Sequence, residues 1–185
     1  MANLKIIGGE KRGFPLAFPR GSGLRPTSSR VREAFFDILA GEIEESRFLD
    51  LFAGSGAMGI EALSRGAAES WFVEEDRANV RAIQQNLETC GFQGWGSVLR
   101  DRLPGCLSRL ESQGRFEIVF VDPPYEGEVG AAVLAELGSG KLLAPAAWVV
   151  MEHRKTESLP LRHGSLQHGR TARYGDSALS FYRIP

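Results

Sequence analysis

Two short stretches of this 185-residue chain hold residue types that do chemistry. The first is Gly54-Ser55-Gly56-Ala57-Met58-Gly59, which satisfies G-x-G-x-x-G and is followed by Glu74 twenty residues beyond Gly54. It comes after Phe48, Leu49, Leu51 and Phe52, an apolar run broken by one carboxylate, Asp50. Gly54, Ser55 and Gly56 remove side-chain bulk where the chain must reverse, so a ligand can approach bare backbone. A dinucleotide is the first ligand to consider. Asp50 argues against it, because a carboxylate at the strand end repels a pyrophosphate and attracts the ammonium and sulfonium of S-adenosylmethionine. Glu74 then suits the ribose hydroxyls. The bland alternative is a strand-helix-strand unit whose glycines only permit tight packing.

The second stretch is Asp122-Pro123-Pro124-Tyr125, at the end of the apolar run Phe116–Val121. Two prolines fix two φ angles and remove two amide donors, so nearby carbonyls lack local partners and can face a cleft. An exocyclic amine on a base has its lone pair delocalised into the ring. Accepting both of its hydrogens, on the Asp122 carboxylate and a Pro123 carbonyl, favours a tetrahedral, nucleophilic nitrogen, and Tyr125 can stack on the base. A rigid Pro-Pro turn with no chemistry is the alternative.

The elements needed to position these residues are legible. Apolar spacing and caps predict helices from Thr27 through Leu39, over 57–65, over 77–90 with Gly91 as C-cap, over 103–110 and over 129–137. Strands are expected at 48–52, 70–74, 96–100, 116–121, 147–152, 166–173 and 178–183. Strands alternating with helices call for an α/β fold, a doubly wound and mostly parallel sheet whose ligand site lies at the carboxyl ends of the strands. Asp50, Glu74, Asp101 and Asp122 all fall at or just after such ends. Ahead of this unit, Leu4–Gly8 and Phe14–Phe18 flank a basic tip and read as a β-hairpin, giving residues 1–26 as hairpin and linker and 27–185 as the main domain.

Net charge is -1, but the cations sit at the two ends. Residues 1–32 carry seven Lys or Arg against one Glu, and residues 153–185 carry six against two acids. Basic ends on an acidic body suit a polyanion, with a merely solvated surface as the alternative. Arg12, Arg20, Arg25, Arg30 and Arg32 are the expected phosphate contacts. Arg30 and Arg32 near a helix N-terminus are misplaced unless anions are nearby, and Thr27 with Arg30 can alternatively hold a ligand carboxylate. Cys90 and Cys106 form no C-x-x-C pair, and His153, His163 and His168 lack partners at ligand spacing, so no disulfide framework and no metal is expected. No stretch has the length of a membrane span or the form of a signal peptide, so no membrane partner and a cytoplasmic location are the defaults.

The pair DLFAGSGAMGIEALSRGA and DPPY resembles class I S-adenosylmethionine-dependent methyltransferases acting on amino nitrogens. LRPTSSRVREAFFDIL and YGDSALSFYR select, within that class, the RsmD family, which methylates guanine N2 of one nucleotide in bacterial 16S rRNA. The likeness runs from end to end. It implies a Rossmann-like sheet of seven strands with the last antiparallel, and S-adenosylmethionine held at Asp50, Phe52, Ala53, Gly54, Ser55, Gly56 and Glu74, with Asp101 at the adenine. It also implies catalysis by Asp122, Pro123, Pro124 and Tyr125, and 16S rRNA, free or within the small ribosomal subunit, as the partner. Where the family has an aromatic and then a basic residue at the hairpin, this chain has Lys11 and Phe14, and the third-strand Asp is displaced by one position. Amino-methyltransferases of DNA bases or of a protein glutamine amide share these motifs, and a non-enzymatic RNA-binding module shares the basic ends.

Overall fold

A computed structural model describes residues 4–19, 27–124 and 128–185. Helix α1 (Ser29–Ile38) begins where the Ser28 side chain accepts from Val31 N at 3.2 Å, and it buries Val31, Phe35 and Phe36. Strand β1 (Arg47–Leu51) leads through the glycine turn into α2 (Ala57–Ser64), then β2 (Glu69–Glu74). Helix α3 (Arg77–Cys90) is capped at one end by Asp76, which accepts from Ala78 N and Asn79 N, and at the other by left-handed Gly91. Next come β3 (Gly96–Arg100), α4 (Leu107–Leu110) with a 3-10 turn at Glu111–Gln113, β4 (Phe116–Val121) and α5 (Val129–Leu137). The chain closes with β5 (Leu143–Arg154), β6 (Arg162–His163), β7 (Leu166–Tyr174) and β8 (Ser177–Arg183).

Among the described residues, all strands named join one sheet in the order β3-β2-β1-β4-β5-β8-β7-β6. Strands β1 to β5 are parallel to one another, and β8 enters antiparallel between β5 and β7. The sheet therefore has eight strands where seven were expected. The extra one is the two-residue β6, which pairs with the start of β7. Helices cover both faces: α1, α2 and α3 pack over Phe48, Phe72, Phe120 and Val150, while α4 and α5 pack over Leu49, Leu51, Val119, Val121 and Met151. Strand β5 begins earlier than expected, because Ala146, at φ 59°, lets the chain pair Phe116 with Leu143 before a register shift restores regular pairing from Trp148. The fourth helix is shorter than expected: Leu107 N bonds Pro104 O in a turn, and helix starts only there.

The N-terminal arm forms a single antiparallel bridge, Lys5 with Pro15, supported by Ile6 N to Phe14 O at 3.0 Å and Leu16 N to Leu4 O at 2.8 Å. A ribbon this short is marginal alone. Ile6 and Leu16 are buried among residues of α2 and α3. The Glu61 carboxylate accepts from Ile7 N at 2.9 Å, and Asn86 brackets Ala17 through both of its side-chain amide atoms. The arm thus climbs the α2–α3 side of the sheet and delivers Phe18 to its carboxyl edge.

Candidate active site

The glycine turn is built from strained and bare backbone. Phe52 sits at φ 63°, a left-handed conformation that a bulky L-residue rarely adopts, and Gly54 and Gly56 sit at φ 55° and 76°. Gly54 and Gly59 serve different ends. A Cβ on Gly54 meets nothing within 4 Å, so the turn opens onto free space. A Cβ on Gly59 would lie 2.3 Å from the buried Phe72 ring, so this glycine lets α2 lie against the sheet. Gly56 starts the helix and faces Ile83 and Phe72 rather than the cavity. The turn is held from below by Glu74, whose carboxylate accepts from Gly54 N at 2.7 Å and Asp76 N at 2.8 Å. Asn86 donates to Ser55 O at 3.0 Å and so ties the same turn to the N-terminal arm.

Asp50 is 2% exposed and accepts from Gly59 N at 3.0 Å. Burial pushes its carboxyl well above the ordinary range; that amide opposes the shift, and the charges of Asp122 and Glu74 add to it. Asp122 stands at the end of β4, partly buried, and its Oδ2 accepts from the Thr27 hydroxyl at 3.0 Å. Burial, then the charge of Glu152, raise it to about 8 against the stabilising Thr27 bond. Pro123 is buried, and the missing side chain of Gly130 on α5 makes room for it, since a Cβ there would lie 2.9 Å from the Pro123 ring.

One cavity of ≈ 1070 Å³ joins the two stretches. Phe52, Ala53, Gly54, Ser55, Glu74 and Asp101 line it, as do Asp50, Asp122, Pro123 and Pro124. A volume of this order accommodates a cofactor-sized molecule with room for part of a second reactant. Asp101 accepts from Arg102 N and pairs with Arg109, so its carboxylate faces the cavity already engaged. Tyr125, Arg20 and Arg25 lie outside the described residues. Arg12 and Arg30 are exposed.

Arg32 requires a correction. Read from the sequence as a phosphate contact, it is 2% exposed: its guanidinium donates to Lys5 O at 3.1 Å and lies 3.8 Å from the fully buried Glu61. It sits three and four residues before Phe35 and Phe36, on the apolar side of α1, and serves to dock the arm on the domain. Sequence reading also missed Glu61, Asn86, Gly130, Glu152 and Phe18. Of these, Glu61 and Glu152 left a signal, as carboxylates inside otherwise apolar segments.

The chain matches the model of a family described as conserved hypothetical protein 95 over residues 4–183. It is 32% identical to the putative rRNA methyltransferase YlbH of Bacillus subtilis, over 97% of this chain and 98% of that protein. It is 40% identical to ribosomal RNA small subunit methyltransferase D of Escherichia coli, over 85% of this chain and 78% of that one. The solved structure of the putative methyltransferase yhhF from Escherichia coli superposes with a TM-score of 0.85 at 37% identity, covering 98% of both chains. Matched from arm to final strand, with the glycine turn and the Pro-Pro corner on one cavity, the chain belongs to this family, the RsmD family of methyltransferases.

Proposed function

We propose that the protein transfers a methyl group from S-adenosylmethionine to the exocyclic N2 of a guanine in 16S rRNA. The observation that carries this is the single cavity in which open Gly54 backbone and Asp122 both take part. The donor set suits the cofactor: free space over Gly54, a carboxylate at Glu74 for ribose hydroxyls, and a buried acid at Asp50 for cationic groups. The substrate assignment draws on the RsmD resemblance and on the name of the Escherichia coli relative, a small-subunit rRNA methyltransferase.

When bound, S-adenosylmethionine supplies a methyl group whose bond to sulfur breaks with its electrons left on sulfur as the acceptor nitrogen's lone pair forms the new bond. The chain's own residues position and polarise. Gly54, Ser55 and Glu74 would hold the cofactor, with Asp101 on its adenine side. Asp122 and the Pro123 carbonyl accept the two amine hydrogens, which directs the nitrogen lone pair along the line of attack. Asp122 then takes the proton that the methylated nitrogen sheds. Arg12 and Arg30, with Arg20 and Arg25, contact rRNA phosphates. Asp122→Ala is expected to keep cofactor affinity and lose turnover. Turnover at the wild-type rate would refute the assignment.

A further inference from the structure

Asp122 does not stand alone. Val121 pairs with Met151 in the parallel β4–β5 ladder, so the next residue on each strand, Asp122 and Glu152, stand side by side at the carboxyl ends. Asp122 follows Phe120 and Glu152 follows Val150 by two positions, and these apolar residues share the face covered by α1. Asp50, two positions after Phe48, lies on that same face. Asp50 and Asp122 line the cavity, and Glu152 stands buried beside Asp122 on the same face of the sheet; Asp50 and Glu152 are 2% and 4% exposed. From above, the chain entering α1 brings the Thr27 hydroxyl to Asp122 Oδ2 at 3.0 Å. Around the rim are Arg154, Lys155, Asp176, Asp101 and Arg102. Lys155 is paired with Asp176, and Arg102 with Glu75.

We propose that Thr27 and Glu152 are positioning residues that set the proton affinity of Asp122 from opposite sides, so that entry of the cationic cofactor drives a proton off Asp122. This rests on the methyltransferase reading of the cavity. Neighbouring buried carboxyls resist ionising together, and Glu152 is the main charge that pushes Asp122 up while the Thr27 bond pulls it down. In the empty cavity at neutral pH, Asp122 therefore holds its proton. S-adenosylmethionine carries sulfonium and ammonium charges against one carboxylate, a net positive charge that favours ionised Asp122. The acceptor is thereby made only when cofactor is present. After transfer the sulfur is neutral, and the proton shed by the methylated nitrogen re-forms the Asp122 carboxylic acid, the form in which the emptied cavity begins the next cycle, so that the one proton released per turnover is the one that left when the cofactor entered.

Calorimetric titration of the full-length protein with S-adenosylmethionine in two buffers of different ionisation enthalpy counts the protons released at neutral pH. The wild-type protein is expected to release a substantial fraction of one proton, and less with S-adenosylhomocysteine, which lacks the sulfonium charge. Glu152→Gln should lower the release about twofold or more and move the acid limb of the kcat profile down by roughly one pH unit, while Glu152→Asp keeps both. Thr27→Val should move the limb up, and Thr27→Ser should restore it. Unchanged proton release and an unmoved limb in Glu152→Gln overturn the proposal. If that variant does not fold, Thr27→Val decides: a limb that stays or moves down overturns it. Cofactor that fails to bind the folded wild-type protein overturns the reading of the cavity and the proposal with it, whereas binding with no proton release overturns the proposal alone.

Discussion

Replacing Asp122 with Asn should make the free protein more stable while abolishing its turnover. The Asp122 carboxyl is raised from an ordinary 3.8 to about 8 by burial and by Glu152. A group with a raised folded-state pKa binds a proton that the unfolded chain has already released, so stability is full below about pH 4 and is lost as pH climbs towards 8. Each pH unit climbed between those two values removes about 1.4 kcal/mol, so the climb from pH 4 to pH 7 removes at most roughly 4 kcal/mol. Water in the open cavity screens part of this, which leaves about 2 to 4 kcal/mol at neutral pH and above. Asp50 is shifted in the same direction and stays in both proteins, so the difference between them reports Asp122 together with its repulsion of Asp50 and Glu152. Urea unfolding of wild type and Asp122→Asn, without cofactor, near pH 5 and near pH 8 measures it. The expected result is a wild-type midpoint that falls with pH and a variant midpoint that falls much less. Parallel loss in both proteins would refute the placement of Asp122 among buried, mutually repelling carboxyls.

The two outer glycines of the turn should separate function from packing. Gly59→Ala drives a methyl group to 2.3 Å from the Phe72 ring and is expected to cost about 1–3 kcal/mol in a thermal melt. Gly54→Ala meets no neighbour, costs roughly 1 kcal/mol for its φ of 55°, and should lose most of its cofactor affinity in calorimetry. Arg32→Ala removes the bond to Lys5 O and one of the two cations beside the buried Glu61, which keeps Arg65 and Ile7 N, and is expected to cost about 1–3 kcal/mol, with the salt dependence of RNA binding unchanged. Arg12→Ala and Arg30→Ala, both exposed, should do the reverse, each lowering the slope of log affinity against log salt by about one with no change in the melt.

What could be read in the sequence was whatever is settled within a few residues. Helix α3 runs over the residues expected of it because Asp76, the apolar spacing and Gly91 mark it locally. Strand β4 does so because it is an unbroken apolar run, and the glycine turn and Pro-Pro corner lie on one cavity, as doubly wound topology demands. What escaped is decided by contact between distant segments. Strand β6 exists only because two residues find the start of β7. Arg32 was counted among surface cations because a charge tally ignores helix phase, although its spacing from Phe35 and Phe36 marks the buried side. Glu152 stands out in the sequence as a carboxylate after an apolar run, but its place beside Asp122 emerges only when β4 and β5 are laid in register.

The most direct measurement is methyl transfer itself: the purified protein, S-adenosylmethionine labelled in the methyl group, and small ribosomal subunits or 16S rRNA from cells lacking the enzyme, followed by mass mapping of the labelled nucleotide. One labelled guanine, methylated at N2, is expected, and no label with Asp122→Ala. Label on DNA, on a protein glutamine or on a ring nitrogen, or no transfer by a protein that binds the cofactor, would contradict the assignment.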